Sequence, residues 1–252
     1  MVSKKTEESS LIVKTRDELV QTEEETLYIT SEKDLFLELK DTYPIAFWCK
    51  GEVSEAPWEA GYVLFGQDAL SQESLEDAYL YLTHTPKIIA KTKRLIIRES
   101  TVEDVDAFYR IYEDPSTTAY MEPLFENPEE EKRYMESYIT KVYGLYGYGI
   151  WTLEKKDSKE VIGRAGVSYK EGYEELEIGY VIAKEERRKG YASEAIEAIL
   201  TYVKEEIGCK EVCAFSQTAN ISSKKVLKKM GFSYIKDVVM NGMVHAFYRK
   251  SL

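Results

Sequence analysis

The segment that most constrains this chain is a strand that passes through a cationic loop into a long amphipathic helix. Leu176-Glu177-Ile178-Gly179-Tyr180-Val181-Ile182 is rich in branched and aromatic residues and reads as a strand. Lys184-Glu185-Glu186-Arg187-Arg188-Lys189-Gly190 follows it. Ala192, Ala195, Ile196, Ile199, Leu200 and Val203 then fall on one continuous helical stripe. A packed helix entered in this way presents about four unpaired N–H groups and its positive dipole end to the loop. Arg187, Arg188 and Lys189 add charge, while Gly190 and Ala192 leave the backbone uncovered. The construction suits an anion such as a phosphate or pyrophosphate; the plainer alternative is a solvated run of charge. The spacing fits neither the Walker loop nor the dinucleotide fingerprint.

A second block lies downstream. Glu211 to Gln217 reads as a strand with Val212, Ala214 and Phe215 as candidate core residues. Asn220 is placed to cap the next helix, and Ser223 sits one turn further on. Gly231 is placed to end that helix in a left-handed conformation before Phe232 restarts a strand. Upstream, Arg94 to Arg98 predicts a strand and Thr101-Val102-Glu103-Asp104 a helix start with an acidic first turn. Asn127-Pro128 opens a helix running to about Tyr143. Ile150–Leu153, Val161–Tyr169 and Leu176–Ile182 predict an antiparallel meander.

The 252 residues suffice for one or two domains. Charge suggests two: residues 1–92 carry 9 basic and 18 acidic side chains, net −9, and residues 93–252 carry 25 and 27, net −2. Residues 1–90 are read as a small acidic α/β domain of unknown role. Its first ~25 residues read as an arm or one loose helix. Leu27–Thr30 reads as a strand, Ser31 as a cap for a helix over Glu32–Lys40, Pro44–Trp48 and Tyr62–Phe65 as further strands, and Ser74–Leu82 as a second helix. A net charge of −11 argues against nucleic-acid binding and leaves open a cationic partner. The sequence has no apolar run of bilayer length and no signal-peptide pattern, so no membrane association and a cytoplasmic location are expected. Cys49, Cys209 and Cys213 with two histidines make no metal pattern, so no metal is expected.

Arg187-x-x-Gly190-x-Ala192 resembles the Arg/Gln-x-x-Gly-x-Gly/Ala motif of the GNAT superfamily of acyl-CoA-dependent N-acetyltransferases. The run from Glu177 to Ala195, with Asn220-x-x-Ser223 and Val226 to Phe232, is similar to its ribosomal-protein N-acetyltransferase branch. The resemblance covers about residues 91–252. It implies a GNAT fold: α/β (α+β), with a mixed, mostly antiparallel central sheet flanked by helices. It implies acetyl-CoA as co-substrate between the strands 176–182 and 211–217. Its pantetheine would meet main chain at Val181 and Ile182, with Asn220 as a further contact. Its pyrophosphate would meet the Arg187, Arg188, Lys189, Gly190, Tyr191, Ala192 and Ser193 loop. The implied chemistry is direct attack by an amine acceptor, with a Val181 N–H polarising the thioester carbonyl.

Glu177 matches a carboxylate position of the branch and is the candidate base; a structural strand residue is the equal alternative. Many relatives place a tyrosine acid where this chain has Leu227, so the acid is open, with Ser223 or water available. Cys213 reads as an inert buried thiol. Tyr134, Tyr138, Tyr143, Tyr146 and Tyr148 read either as a helix face or as an acceptor-pocket wall, with glycines 144, 147 and 149 permitting lid motion. His245 could reach the acceptor side. The competing class of function is a non-catalytic acyl-CoA-binding sensor whose acidic first domain binds a partner.

Overall fold

Alternation of large apolar side chains over short runs builds the first sheet, and the connections decide which faces are covered. The computed structural model describes residues 2–4, 11–13, 26–52 and 55–252. The chain divides into two compact units, Met1–Lys87 and Ile88–Leu252.

In the first unit, β1 (Val2–Lys4), β2 (Leu11–Val13), β3 (Tyr28–Thr30), β4 (Ile45–Cys49) and β5 (Val63–Phe65) form a sheet in the order β2-β1-β3-β4-β5. β3, β4 and β5 run parallel; α1 (Lys33–Leu39) connects β3 to β4, and α2 (Gln72–Leu82) follows β5. The period of two splits the core. Tyr28, Ile45, Phe47 and Cys49 pack with Phe36 of α1, while Ile29, Ala46 and Leu64 pack with Leu75 and Ala78 of α2. β1 and β2 pair antiparallel within a stretch whose sequence suggested an arm or a loose helix. The rest of residues 1–25 lies outside the described residues. Ser31 is not the cap of α1. Glu32 holds that position without a side-chain bond, and its N–H donates to Thr30 Oγ1 at 3.0 Å. α2 starts two residues earlier than the sequence suggested, because Ser71 caps it.

The second unit begins with a strand the sequence reading did not separate, β6 (Ile88–Lys91), paired antiparallel with β7 (Leu95–Arg98). A capping box between Thr101 and Asp104 then opens a short turn into α3 (Val105–Tyr112). Asp104 also takes both NH1 and NH2 of Arg98, at 2.7 and 2.9 Å, a buried bidentate pair completed by Glu154 on Nε. Asp114 caps α4 (Pro115–Thr118) and Asn127 caps α5 (Pro128–Tyr138). α5 continues through a π-turn over Ile139–Tyr143 into α6 (Gly144–Tyr146), which ends at left-handed Gly147.

The meander β8 (Ile150–Lys155), β9 (Val161–Ser168) and β10 (Leu176–Ile182) follows, then α7 (Tyr191–Glu205), β11 (Glu211–Gln217), α8 (Ile221–Lys229), β12 (Ser233–Met240) and β13 (Met243–Ser251). The sheet order is β12-β13-β11-β10-β9-β8-β7-β6, and only β10 and β11 are parallel neighbours. α7 packs Ala195, Ile196, Ile199 and Val203 onto a face carrying Trp151, Leu153 and Ile162. Each such buried side chain contributes roughly 1.5–3 kcal/mol. Val105 and Phe108 of α3 join Met135 of α5 in a separate small core. No described helix is long and apolar enough to cross a membrane.

Candidate active site

The one parallel seam in the second sheet is incomplete. β10 and β11 pair only at Leu176↔Val212 and Glu177↔Cys213, yet both strands continue for five and four further residues. β10 stays paired with β9 from Glu177 to Ile182, and β11 with β13 along its whole length. The two strands therefore diverge as a wedge, and the inner main-chain edge of β10 beyond Glu177 has no strand partner there. Gly163 of β9 lies against the opposite edge of β10, away from the wedge. A Cβ at that position would collide with the carbonyl of Val181, so only glycine permits this approach.

The wedge opens toward the start of α7. Gly190 is the N-cap in a left-handed conformation, φ 90°, and no side chain caps the helix. Its first-turn N–H groups are thus left for an external acceptor. Arg188 precedes it at φ 63°, a left-handed conformation that costs a non-glycine residue energy and turns the backbone sharply.

The guanidinium of Arg187 does not face the loop's anion side: three of its N–H groups donate to Ile182 O, Ser116 Oγ and Thr117 Oγ1. Its side chain ties β10, α4 and the loop together. Lys189 reaches Glu186 at 3.0 Å and keeps its side chain half exposed. Tyr191 is buried, and its ring lies under the guanidinium of Arg94, 4.1 Å from the centroid. Arg94 was not found from sequence. It donates to Lys189 O and to Glu194, fixing the loop and the first turn of α7 to β7. Ala192 and Ser193 complete that first turn.

On the far side, Asn220 Oδ1 accepts from Ser223 N at 3.0 Å, which makes the capping reading a fact. Ser223 Oγ accepts from Tyr180 Oη at 3.2 Å, so a tyrosine of β10 spans to α8. Burial pushes the Tyr180 phenol up, against the opposing bond to Ser223. Leu227 is buried in the main core.

Glu177 stands at the vertex of the wedge, opposite Cys213. Burial raises its carboxyl above the ordinary range, opposed by Lys170, 3.7 Å away, and by His245. The Cys213 thiol is pushed up to about 12, first by burial and then by Glu177 and Glu175, so it stays protonated and inert. Tyr173, Phe215 and Phe247 form a ring cluster beside this vertex, with centroids 4.8 to 5.1 Å apart. Sequence reading missed the cluster because its members come from three separate segments.

The residues fit an extended anionic ligand: an open strand edge, an uncapped helix start and a carboxylate at the apex. The acetyltransferase (GNAT) domain profile matches residues 94–233, which covers the wedge and both flanking helices.

The chain belongs to the GNAT acetyltransferase family.

An uncharacterized N-acetyltransferase of Bacillus subtilis, YoaA, is 34% identical over 148 residues, covering 57% of this chain and 82% of that protein. Another from the same organism, YnaD, is 34% identical over 141 residues, 56% and 79% of the two chains. Among solved structures, RimL, a ribosomal L7/L12 alpha-N-protein acetyltransferase, superimposes at TM-score 0.56 with 16% identity, covering 68% of this chain and 97% of its own. A GNAT-family acetyltransferase of Bacillus anthracis gives 0.55 with 23% identity, 64% and 96%. The RimL likeness shows the fold that the sequence resemblance implied.

Within this GNAT domain the tyrosine-rich segment divides in two. Tyr143 Oη accepts from Ser100 N and donates to Ile150 O, and Tyr138 Oη accepts from Ile150 N. Both are anchors. Gly144 is helical and Gly149 is packed against these two rings, contacts that favour the helix-face reading of the segment over the pocket wall with lid motion. Tyr134 and Tyr146 are exposed. Among the described residues no group of three or more potential ligands is placed to hold a metal.

Proposed function

We propose that the second unit transfers an acetyl group from acetyl-CoA to a primary amine, either of a small molecule or of a protein N-terminus, by direct attack. The observation that carries this reading is the wedge between β10 and β11, ending at the uncapped start of α7. The main chain of Tyr180 and the N–H of Ile182 face the wedge and can hydrogen-bond an amide-bearing chain as an added strand would, whereas Val181, expected from the sequence as a contact, turns its N–H and carbonyl toward β9. The N–H groups from Arg188 to Ser193 can take a pyrophosphate, with Arg188 and Lys189 supplying charge and Arg187 holding the loop in shape. Asn220 keeps its amide NH₂ available to the same ligand.

In the transfer, the acceptor nitrogen bonds to the thioester carbon, the C–S bond breaks, and the ammonium proton goes to Glu177 directly or through water. A raised carboxyl pKa suits a base working near neutrality, because its conjugate acid is nearer the operating pH. Val181 N–H, the expected donor to the thioester carbonyl, is turned toward β9 and does not serve, while Ser223, whose hydroxyl accepts from Tyr180, keeps its own proton to give to the departing thiolate. Holding two reactants in line supplies much of the rate. The aromatic cluster and Lys170 border the acceptor side.

The test is release of free thiol from acetyl-CoA across a panel of amines and N-terminal peptides. Turnover with any of them supports transfer. Saturable binding of acetyl-CoA with no turnover on the whole panel would leave the sensor reading, which the buried Leu227 at the family's acid position favours.

A further inference from the structure

The first unit holds a feature that acetyl transfer does not use. A cleft of about 470 Å³ opens beside the N-terminal end of β4. That size falls within the range of small-ligand sites. Tyr43 and Leu82 give it an apolar wall over the buried Phe36 and Ile45, and Lys40, Asp41, Glu59 and Thr83 give it polar groups.

Glu59 Oε2 is shut off from solvent and has no hydrogen-bond partner among the described residues. A shielded carboxylate oxygen without a donor is costly, and a folded chain ordinarily removes such a cost by pairing. The lining has one cation, Lys40, and it is engaged with Asp41 at 2.8 Å.

The backbone adds negative potential of its own. Lys40 and Thr83 are the C-caps of α1 and α2, and both line the cleft. Two helix C-termini therefore border it, and the negative end of a helix dipole favours a cation. Tyr43 packs 5.0 Å from Tyr28, and its ring offers a face of the kind that attracts cations. The surrounding region, residues 1–92, carries 9 basic against 18 acidic side chains, a field that draws cations and repels anions.

We propose that this cleft binds a small organic cation, a primary ammonium on an apolar body, with the ammonium on Glu59 and the body against Tyr43 and Leu82. An inorganic ion would leave the apolar wall unused, and an anion would meet Glu59, Asp41 and two helix C-termini against the single cation Lys40, which is already paired.

The experiment is calorimetric titration of the full chain with benzylammonium, with benzyl alcohol and benzoate as neutral and anionic counterparts. Saturable binding of benzylammonium is expected, with at least ~10-fold weaker binding of both counterparts. Glu59→Gln should weaken benzylammonium at least ~10-fold, keep acetyl-CoA binding, and melt no lower than the parent, since it removes an unpaired charge. Thr83→Lys, which supplies a cation to the rim, should show the same loss of ligand, so the test survives if one variant fails to fold. Equal affinity for benzyl alcohol, no saturable binding, or unchanged affinity in the folded variants would overturn the proposal. So would a loss seen in Glu177→Gln and absent in Glu59→Gln, which would put the ammonium in the other unit. Failure of acetyl transfer in the amine panel leaves this result untouched, because the readouts and the residues are separate.

Discussion

Both units contain parallel strands, and they use them in opposite ways. In the first unit β3, β4 and β5 pair at three positions in each seam, and every position along β3 is matched. In the second, the single parallel seam is matched at two positions and then abandoned. The first arrangement makes a closed sheet whose binding feature lies at a strand end. The second leaves an open edge inside the sheet, and main-chain groups left without a strand partner are strong hydrogen-bonding sites. Charge follows the same division: an acidic region with a shielded carboxylate in one unit, a cationic loop at a helix start in the other.

The comparison can be broken most severely at the vertex of the wedge. Glu177→Gln keeps shape and removes the proton acceptor. Turnover should fall ~10²–10⁴-fold while acetyl-CoA affinity holds. In the parent, kcat/KM should rise as pH climbs through the Glu177 pKa, which lies above the ordinary carboxylate range, and the variant should lose that limb. Wild-type turnover at neutral pH would make Glu177 structural.

Phe36→Ala empties the core on the α1 side of the first sheet and should cost ~3–5 kcal/mol there. Calorimetry should then show the first unit's transition lowered and the acetyl-CoA-dependent shift of the second unit retained. A common loss of both would mean that the units do not melt separately.

Gly190→Asp should weaken acetyl-CoA at least ~10-fold, about 1.4 kcal/mol, by setting a side chain and a like charge at the helix start. Isothermal titration measures it, and unchanged affinity in a folded variant would move the anion away from α7.

The smallest effect belongs to Glu194. Burial alone would raise its carboxyl, but hydrogen bonds from Thr92 and Arg94 hold it below the usual range. A depressed folded pKa gives stability that is present above the unfolded value, ~4.3, and lost as pH falls through the folded one. The second unit's melting temperature should drop across that acid window, and Glu194→Gln should flatten the drop.

What the sequence revealed was local. The strand, loop and stripe from Leu176 to Val203 carry their own period, turn residue and charge, and Asn220 and Gly231 mark both ends of α8. What it concealed depends on pairing across distance. β6 is four residues of ordinary composition that become a strand only beside β7. The guanidinium of Arg187 is directed by Ser116 and Thr117, some seventy residues earlier. Tyr180 is one aromatic in a strand until α8 brings Ser223 to it. The shielded Oε2 of Glu59 has no local signature at all, since its meaning lies in the donor it lacks among the described residues.

The abandoned seam also bears on how this domain holds together over time. β6 to β10 form one run of antiparallel neighbours, and β11 to β13 another, and within the sheet they meet at only two residue pairs. Each run is stitched mainly from pairings close in sequence, which favours rapid independent assembly. The sheet then behaves as two panels on a narrow hinge, steadied by the helices that cross it. On the proposed reading, acetyl-CoA lying along the gap bridges the two panels and acts as a splice. Amide protons on β10 and β11 should therefore exchange in separate groups in the free protein and merge into one slow group when acetyl-CoA is bound.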